Sequence, residues 1–408
     1  MESIISFTDE NPTAAHFITS AREILTENGY TELKEEFEIV KLPEKFFICR
    51  DEQSLLVFHF NDLDSSKIIT STLDYPSLKV LPNGGRIHNH CEQANVCQYG
   101  RGMWITWPDR DLSVAGRVLV KNENGETIQK LVHSEHAIAE IPMLASHLKP
   151  GSSLKCEFNS ENHFKPVLRF LHENQESISN SNSGSELSQK HSKTLLNFIA
   201  QQCDCKVDDI VDFELKFISA ENSTIIGVND DIISSQRISS IMSSYIVFDE
   251  FIKSPIPEKG FNVAYFYNND QEASPSRTSP ESDFLDSILK RIGVNDKFYS
   301  NSVMLITKHT KSGSYKKRIN YYSDMVGNYQ SSDSFLVESL QKLEKEKISV
   351  SHTDSNKYLL NGGALISKRL HIPMFLFGIS IFGMNSIRET IPIELIELFR
   401  SAVNALLK

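Results

Sequence analysis

The chain has 408 residues, a net charge of −11 at pH 7 and 40% hydrophobic residues, with 24 Phe among its aromatics. That length favours two domains or one large α/β unit, and the apolar content is ample for a buried core, which excludes a disordered chain. An acidic balance, with an isoelectric point near 5.7, repels a phosphate backbone, so nucleic acid is not an expected partner.

No apolar run reaches the roughly 18 residues that a membrane helix needs, so no membrane partner is expected. The opening M-E-S-I-I-S-F-T-D-E-N-P has neither the basic nor the apolar region of a signal peptide, and the expected localisation is cytoplasmic. Cysteines at 49, 91, 97, 156, 203 and 205 are too sparse for a disulfide framework and read as free thiols. Lys308 to Arg318, the one basic cluster, reads as a solvated loop.

In chain order, Asn11-Pro12 opens a helix, with Ala14, Phe17, Ile18, Ala21 and Leu25 as its apolar stripe and Asn28-Gly29 as its close. Strands are expected at 46–49, 55–60 and 68–73. Pro82-Asn83-Gly84-Gly85 is a turn signal and a domain boundary. The next section, 83–210, is β-rich: short strands at 103–106 and 114–121, then the turn Asn122-Glu123-Asn124-Gly125. Residues 177–192 are Ser/Asn-rich and read as a surface loop, followed by a helix over 192–202. From 211 onward strands at 211–219, 263–267, 303–308 and 375–381 alternate with helices at 241–251, 282–292, 335–346 and 393–407. Buried strands between amphipathic helices specify a three-layer α/β/α domain, formed by 1–82 and 211–408 and interrupted by the β-rich section.

The run Trp104 to Val120, W-I-T-W-P-D-R-D-L-S-V-A-G-R-V-L-V, holds both tryptophans of the chain. It resembles the W-F-D-R-D-L-S-L-A-G-R-V of the aspartyl aminopeptidase family of dinuclear zinc metallopeptidases. Further pieces follow in family order. Asn11–His16 through Gly29–Leu33 is similar to the family's opening helix. Ile141–Leu148 is similar to I-P-N-L-A-I-H-L, Asp212–Leu215 to D-F-E-L, and Met384–Glu389 to M-H-S-I-R-E. The resemblance implies a catalytic-type α/β domain interrupted by a β-rich dimerisation domain, with assembly through dimers into dodecamers. In active members two zinc ions activate a water that attacks the N-terminal peptide bond of acidic substrates.

Carried over position by position, the resemblance places Thr72 where the family has its first ligand His, with the supporting Asp74 retained. Ser239 stands at the bridging Asp, Asn269 at the general base, Asp270 at the following Glu ligand, Lys308 at an Asp ligand and Asn385 at the last ligand His. An amide cannot take a proton from water, and an ammonium repels a metal. These departures give the expectation of a catalytically inactive family member, not an enzyme, with no zinc and with Thr72, Ser239, Asp270, Lys308 and Asn385 as vestigial ligand positions. Lys308 is also expected to neutralise Asp74 and Asp270 in the metal's stead, so that Lys308→Met would destabilise the protein.

Other constellations carry less. His88-Asn89-His90-Cys91 with Cys97 could hold a metal, but no second ligand pair stands at metal spacing. Cys203-Asp204-Cys205 reads as two ordinary thiols. Asp109 and Asp111 flank Arg110 and read as a structural ion-paired turn. His147 resembles a family histidine that reaches across the dimer into a neighbouring site. The expected role is an oligomeric scaffold or regulatory partner, associating with itself (dimer, dodecamer) or with an active aspartyl aminopeptidase paralogue. The alternatives are a residual or repurposed metalloaminopeptidase cleaving acidic N-terminal residues, and a peptide-binding module using the old cleft.

Overall fold

The computed structural model describes residues 1–36, 42–145, 147, 159, 162–172, 190–271, 276–311, 315–322, 333–352 and 362–408. Contacts divide the chain into two compact units. The first comprises Met1–Tyr75, Ser223–Met384 and Glu389–Lys408; the second comprises Pro76–Asn222 and Asn385–Arg388.

The first unit is built on a nine-stranded sheet. Its centre is four adjacent parallel strands, in the order Phe261–Tyr267, Ser66–Thr72, Val303–Thr307 and Met374–Gly378. All seven residues of Phe261–Tyr267 are buried, as a parallel strand covered on both faces requires. The core on one side gathers Phe58, Val263, Tyr265, Phe284, Ile288 and Ile306. The α/β class implied by the sequence is the observed one.

Local chemistry moved several boundaries. The helix expected to open at Asn11-Pro12 runs Ala14–Glu27 and is capped by Thr13, whose hydroxyl accepts the N–H of His16 at 3.5 Å. Asn11 instead closes a preceding helix, Glu2–Glu10, its N–H and its Nδ2 both donating to the carbonyl of Phe7. The helix expected from 241 begins with a π turn over Ile238–Met242 and continues as Ser243–Lys253. The final helix, Ile393–Leu407, lies where its periodicity predicts.

The second unit is a six-stranded antiparallel sheet in the order Thr127–His133, Leu112–Lys121, Ile210–Ser219, Ser77–His88, Cys91–Tyr99, Val167–Phe170. Pro82–Gly85, read as a turn, lies inside Ser77–His88, whose pairing with Cys91–Tyr99 shifts register at that point. Residues 103–106, read as a strand, give a short 3₁₀ turn over Trp104–Thr106. The helix Lys193–Gln202 drives Leu195, Leu196 and Ile199 into the core. Its N-cap Ser192 accepts the N–H of Leu195 at 3.1 Å and donates to the buried carboxylate of Glu92, which also accepts from Thr194 Oγ1 at 2.7 Å. Most of the Ser/Asn-rich segment, 177–189, lies outside the described residues.

Trp107 is fully buried, its ring centroid 5.7 Å from that of Trp104. Asp109, at φ 55°, accepts the N–H of Met143 at 2.8 Å, and Arg110 pairs with Glu221 at 2.9 Å. A Cβ on Gly116 would sit 2.0 Å from the carbonyl oxygen of Glu214 on the paired strand, so only glycine permits this approach of strands.

Candidate functional site

Open α/β sheets bind ligands beyond the C-terminal ends of their parallel strands. Here Thr72 pairs with Tyr267, Ile306 with Thr70 and Thr307 with Phe377, so the four strand ends lie side by side. Thr72, Asn269, Asp270 and Lys308 all sit at or just past these ends.

Asp74 joins two of the loops. It is 1% exposed; Oδ1 accepts the N–H of Tyr75 at 3.1 Å and Oδ2 accepts that of Gln271 at 2.9 Å. Thr72 Oγ1 in turn accepts the N–H of Asp74 at 3.1 Å. The Thr72 side chain therefore braces the loop that carries Asp74.

Asn269 adopts φ 53°, and its Nδ2 donates to Thr278 Oγ1 at 2.8 Å and to Ser276 Oγ at 3.3 Å. Asp270 is half-buried beside the start of the helix Gly362–Leu370. A Cβ on Gly362 would fall 2.5 Å from Asp270 Oδ1, so the glycine leaves room for the carboxylate. A helix N-terminus favours a negative charge at that place.

Lys308 lies with its Nζ 5.2 Å from the centroid of the Tyr322 ring. Burial lowers its pKa to about 8, and the attraction of Asp270 offsets only part of that shift. The buried Tyr267 hydroxyl is pushed well above its usual range, first by burial and then by the charge of Asp270.

Ser239 lies in the π turn Ile238–Met242, which packs against the strand Ser66–Thr72. Its N–H and its hydroxyl both donate to Glu389, each at 2.7 Å, inside the π turn. The preceding Arg237, left-handed at φ 66°, lays its guanidinium 5.7 Å from the Tyr75 ring. Asn385 belongs to the second unit, where its carbonyl accepts the N–H of Met103 at 2.9 Å and its Nδ2 donates to Arg101 O at 3.3 Å. His147 is an exposed turn residue. Thus Thr72, Asp74, Asp270 and Lys308 are linked at the strand ends, while Ser239 is committed to Glu389. Sequence reasoning passed over Tyr322, Gln271 and Glu389; the position of Glu389 within Met384–Glu389 was the one signal for it.

A family model described as Aminopeptidase I zinc metalloprotease (M18) matches residues 7–316. The chain belongs to the M18 aminopeptidase family. Among curated relatives, aspartyl aminopeptidase 1 of Schizosaccharomyces pombe is 28% identical over 302 residues, covering 71% of this chain and 64% of the relative. Aspartyl aminopeptidase 4 of Saccharomyces cerevisiae is 28% identical over 313 residues, covering 72% and 64%. The matched region thus spans just under two thirds of these relatives' length. Among solved structures, the Ape4 and Nbr1 complex gives a TM-score of 0.90 at 22% identity, covering all of this chain and 85% of that one. The mApe1 dodecamer of S. cerevisiae gives 0.83 at 19%, covering 99% and 95%. These last two are likenesses of fold.

Membership of the M18 family corrects two expectations. The chain was expected not to be an enzyme and to carry no zinc, yet its family is one of zinc metalloproteases and its curated relatives are named as aminopeptidases. A family likeness that runs through most of the chain outweighs substitutions at single positions.

Zinc is held by convergent His, Cys, Asp and Glu side chains. Among the described residues no three of these converge, and at the strand ends an ammonium, Lys308, faces Asp270. The described side chains by themselves do not fit a zinc centre. Glu272 and the segment 353–361 lie outside the described residues.

Proposed function

We propose that this M18 chain is a repurposed aminopeptidase that acts on peptides with an acidic N-terminal residue and works as an assembly of its own copies. The observation that carries this reading is the family match across residues 7–316. It is supported by curated relatives named as aspartyl aminopeptidases and by a solved relative that is a dodecamer.

In this reading Thr72, Asp74, Asn269, Asp270 and Lys308 line the cleft, at the strand ends where such sheets take ligands. The amide of Asn269 offers no proton acceptor, and the neighbouring half-buried carboxylate of Asp270 takes that role. Lys308 supplies the positive charge that receives an acidic side chain. Ser239 positions its segment through Glu389 rather than touching substrate.

The full chain is assayed for release of chromogenic anilide from aspartyl and glutamyl substrates, alongside its zinc content. Release is expected, with loss in Asp270→Asn at unchanged melting temperature. No release, with or without added zinc, overturns the reading. Light scattering tests the assembly, and a mass of 46.3 kDa, that of a single chain, would sink it.

A further inference from the structure

The second unit contains two thiols that the aminopeptidase reading does not use. Cys203 and Cys205 follow the helix Lys193–Gln202, and the turn that holds them is closed by a paired set of bonds. The N–H of Cys205 donates to Ala200 O at 3.0 Å and that of Asp204 to Gln201 O at 3.2 Å. This is the six-to-one and five-to-two pattern of a Schellman turn, with Asp204 at φ 44° in the left-handed position. The chain reverses at Asp204, between the two cysteines, and each thiol lies close enough to the other to shift its ionisation.

The two thiols differ in access. Cys203 is 2% exposed and packs in the core, whereas Cys205 lies half-buried at its edge. Lys130 donates its ammonium to the carbonyl of Cys203, which sets a cation beside both sulfurs. A thiolate formed at either sulfur would face that charge.

We propose that Cys203 and Cys205 are a dithiol modification site that closes reversibly to a disulfide, with a small-molecule disulfide of the glutathione class as oxidant. Cys205, as its thiolate, attacks one sulfur of the oxidant; a mixed disulfide forms and one small thiolate leaves and takes up a proton. Cys203, losing its proton, then attacks the Cys205 sulfur and expels the second small thiolate, which is protonated in turn. The protein gives up two electrons and two protons, and the oxidant becomes two thiols. Only Cys205 must be reached from solvent, because Cys203 acts within the turn.

Burial pushes both thiols up, Cys203 to about 11, while Lys130 opposes the shift at each. The rate of closure therefore rises with pH. Cross-linking so short a loop constrains the unfolded chain little, so the readout is chemical rather than a change in stability.

The full chain is incubated with oxidised glutathione, quenched by alkylation and mapped by peptide mass spectrometry. The expected result is loss of alkylation at both Cys203 and Cys205 with no glutathione retained on that peptide. In Cys203→Ala, glutathione is expected to persist on Cys205. Two outcomes overturn the proposal: glutathione persisting on Cys205 in the native sequence, or both thiols still alkylated once exposed Cys97 has reacted. The native-sequence arm alone decides, so a folding defect in the variant leaves the test intact.

Discussion

The carboxylate of Asp74 accepts the backbone N–H of Gln271 at 2.9 Å, joining the loop after one central parallel strand to the loop after its neighbour. The bond is part-buried and spans 197 positions of sequence, so it fixes the spacing of the two loops. Asp74→Ala leaves two backbone donors, at Tyr75 and Gln271, without their acceptor. A loss of about 1–3 kcal/mol is expected in denaturant unfolding, and an unchanged midpoint would show that the loops hold without it.

Gly116→Ala is expected to be more damaging than an ordinary strand substitution. The added carbon would sit 2.0 Å from the carbonyl of Glu214, and both atoms belong to paired strands that cannot slide apart independently. A cost of roughly 1–3 kcal/mol follows from such overpacking. Thermal melting checks it, and a native-like Tm would mean that the pairing there is looser than described.

Lys67 predicts a pH dependence. Burial, followed by the proximity of Lys342 on the helix Asp333–Lys345, lowers its pKa from 10.5 to about 7, although its Nζ donates to Leu407 O at 2.8 Å. Above about 7 the folded chain has released this proton while the unfolded chain still binds it, so stability rises as pH climbs from about 7 to about 10. The slope from this group is at most about 1.4 kcal/mol per pH unit. Lys67→Met should flatten that rise; a slope identical to that of the native sequence would remove Lys67 as its source.

Lys308 was expected to stabilise the protein by neutralising nearby carboxylates. Burial instead outweighs the attraction of Asp270 and brings its pKa down to about 8, so the charge costs more than it returns. Lys308→Met is therefore expected to melt at an equal or higher temperature at pH 7. A clear drop in Tm would restore the neutralising role.

Periodicity made the larger elements legible. Ile393–Leu407 and Lys193–Gln202 lie where their apolar stripes put them, because a stripe at helical spacing needs only one buried face. Turn chemistry misled at Pro82–Gly85, where a local turn signal was absorbed as a register shift inside one strand. Tertiary pairing overrides such local preferences. Likeness to a family named Thr72, Asp74, Asp270 and Lys308, which sit at or just past neighbouring strand ends, but not their partners. Glu389 meets Ser239 across 150 positions, and Tyr322 meets Lys308 from another strand. Neither contact leaves a local trace in the sequence.

The four residues Asn385–Arg388 count with the second unit although both flanking segments belong to the first. Ile387 among them is 1% exposed and sits in the core with Trp107 and Phe217. During synthesis, then, the middle of the chain emerges long before the last side chain of its own core. The segment 76–222 must wait, one apolar place unfilled, until residues 385–388 have been made. A fragment cut at those two boundaries would be born with the same hole and should aggregate unless Asn385–Arg388 is supplied. The second unit is consequently completed only after most of the first has been synthesised.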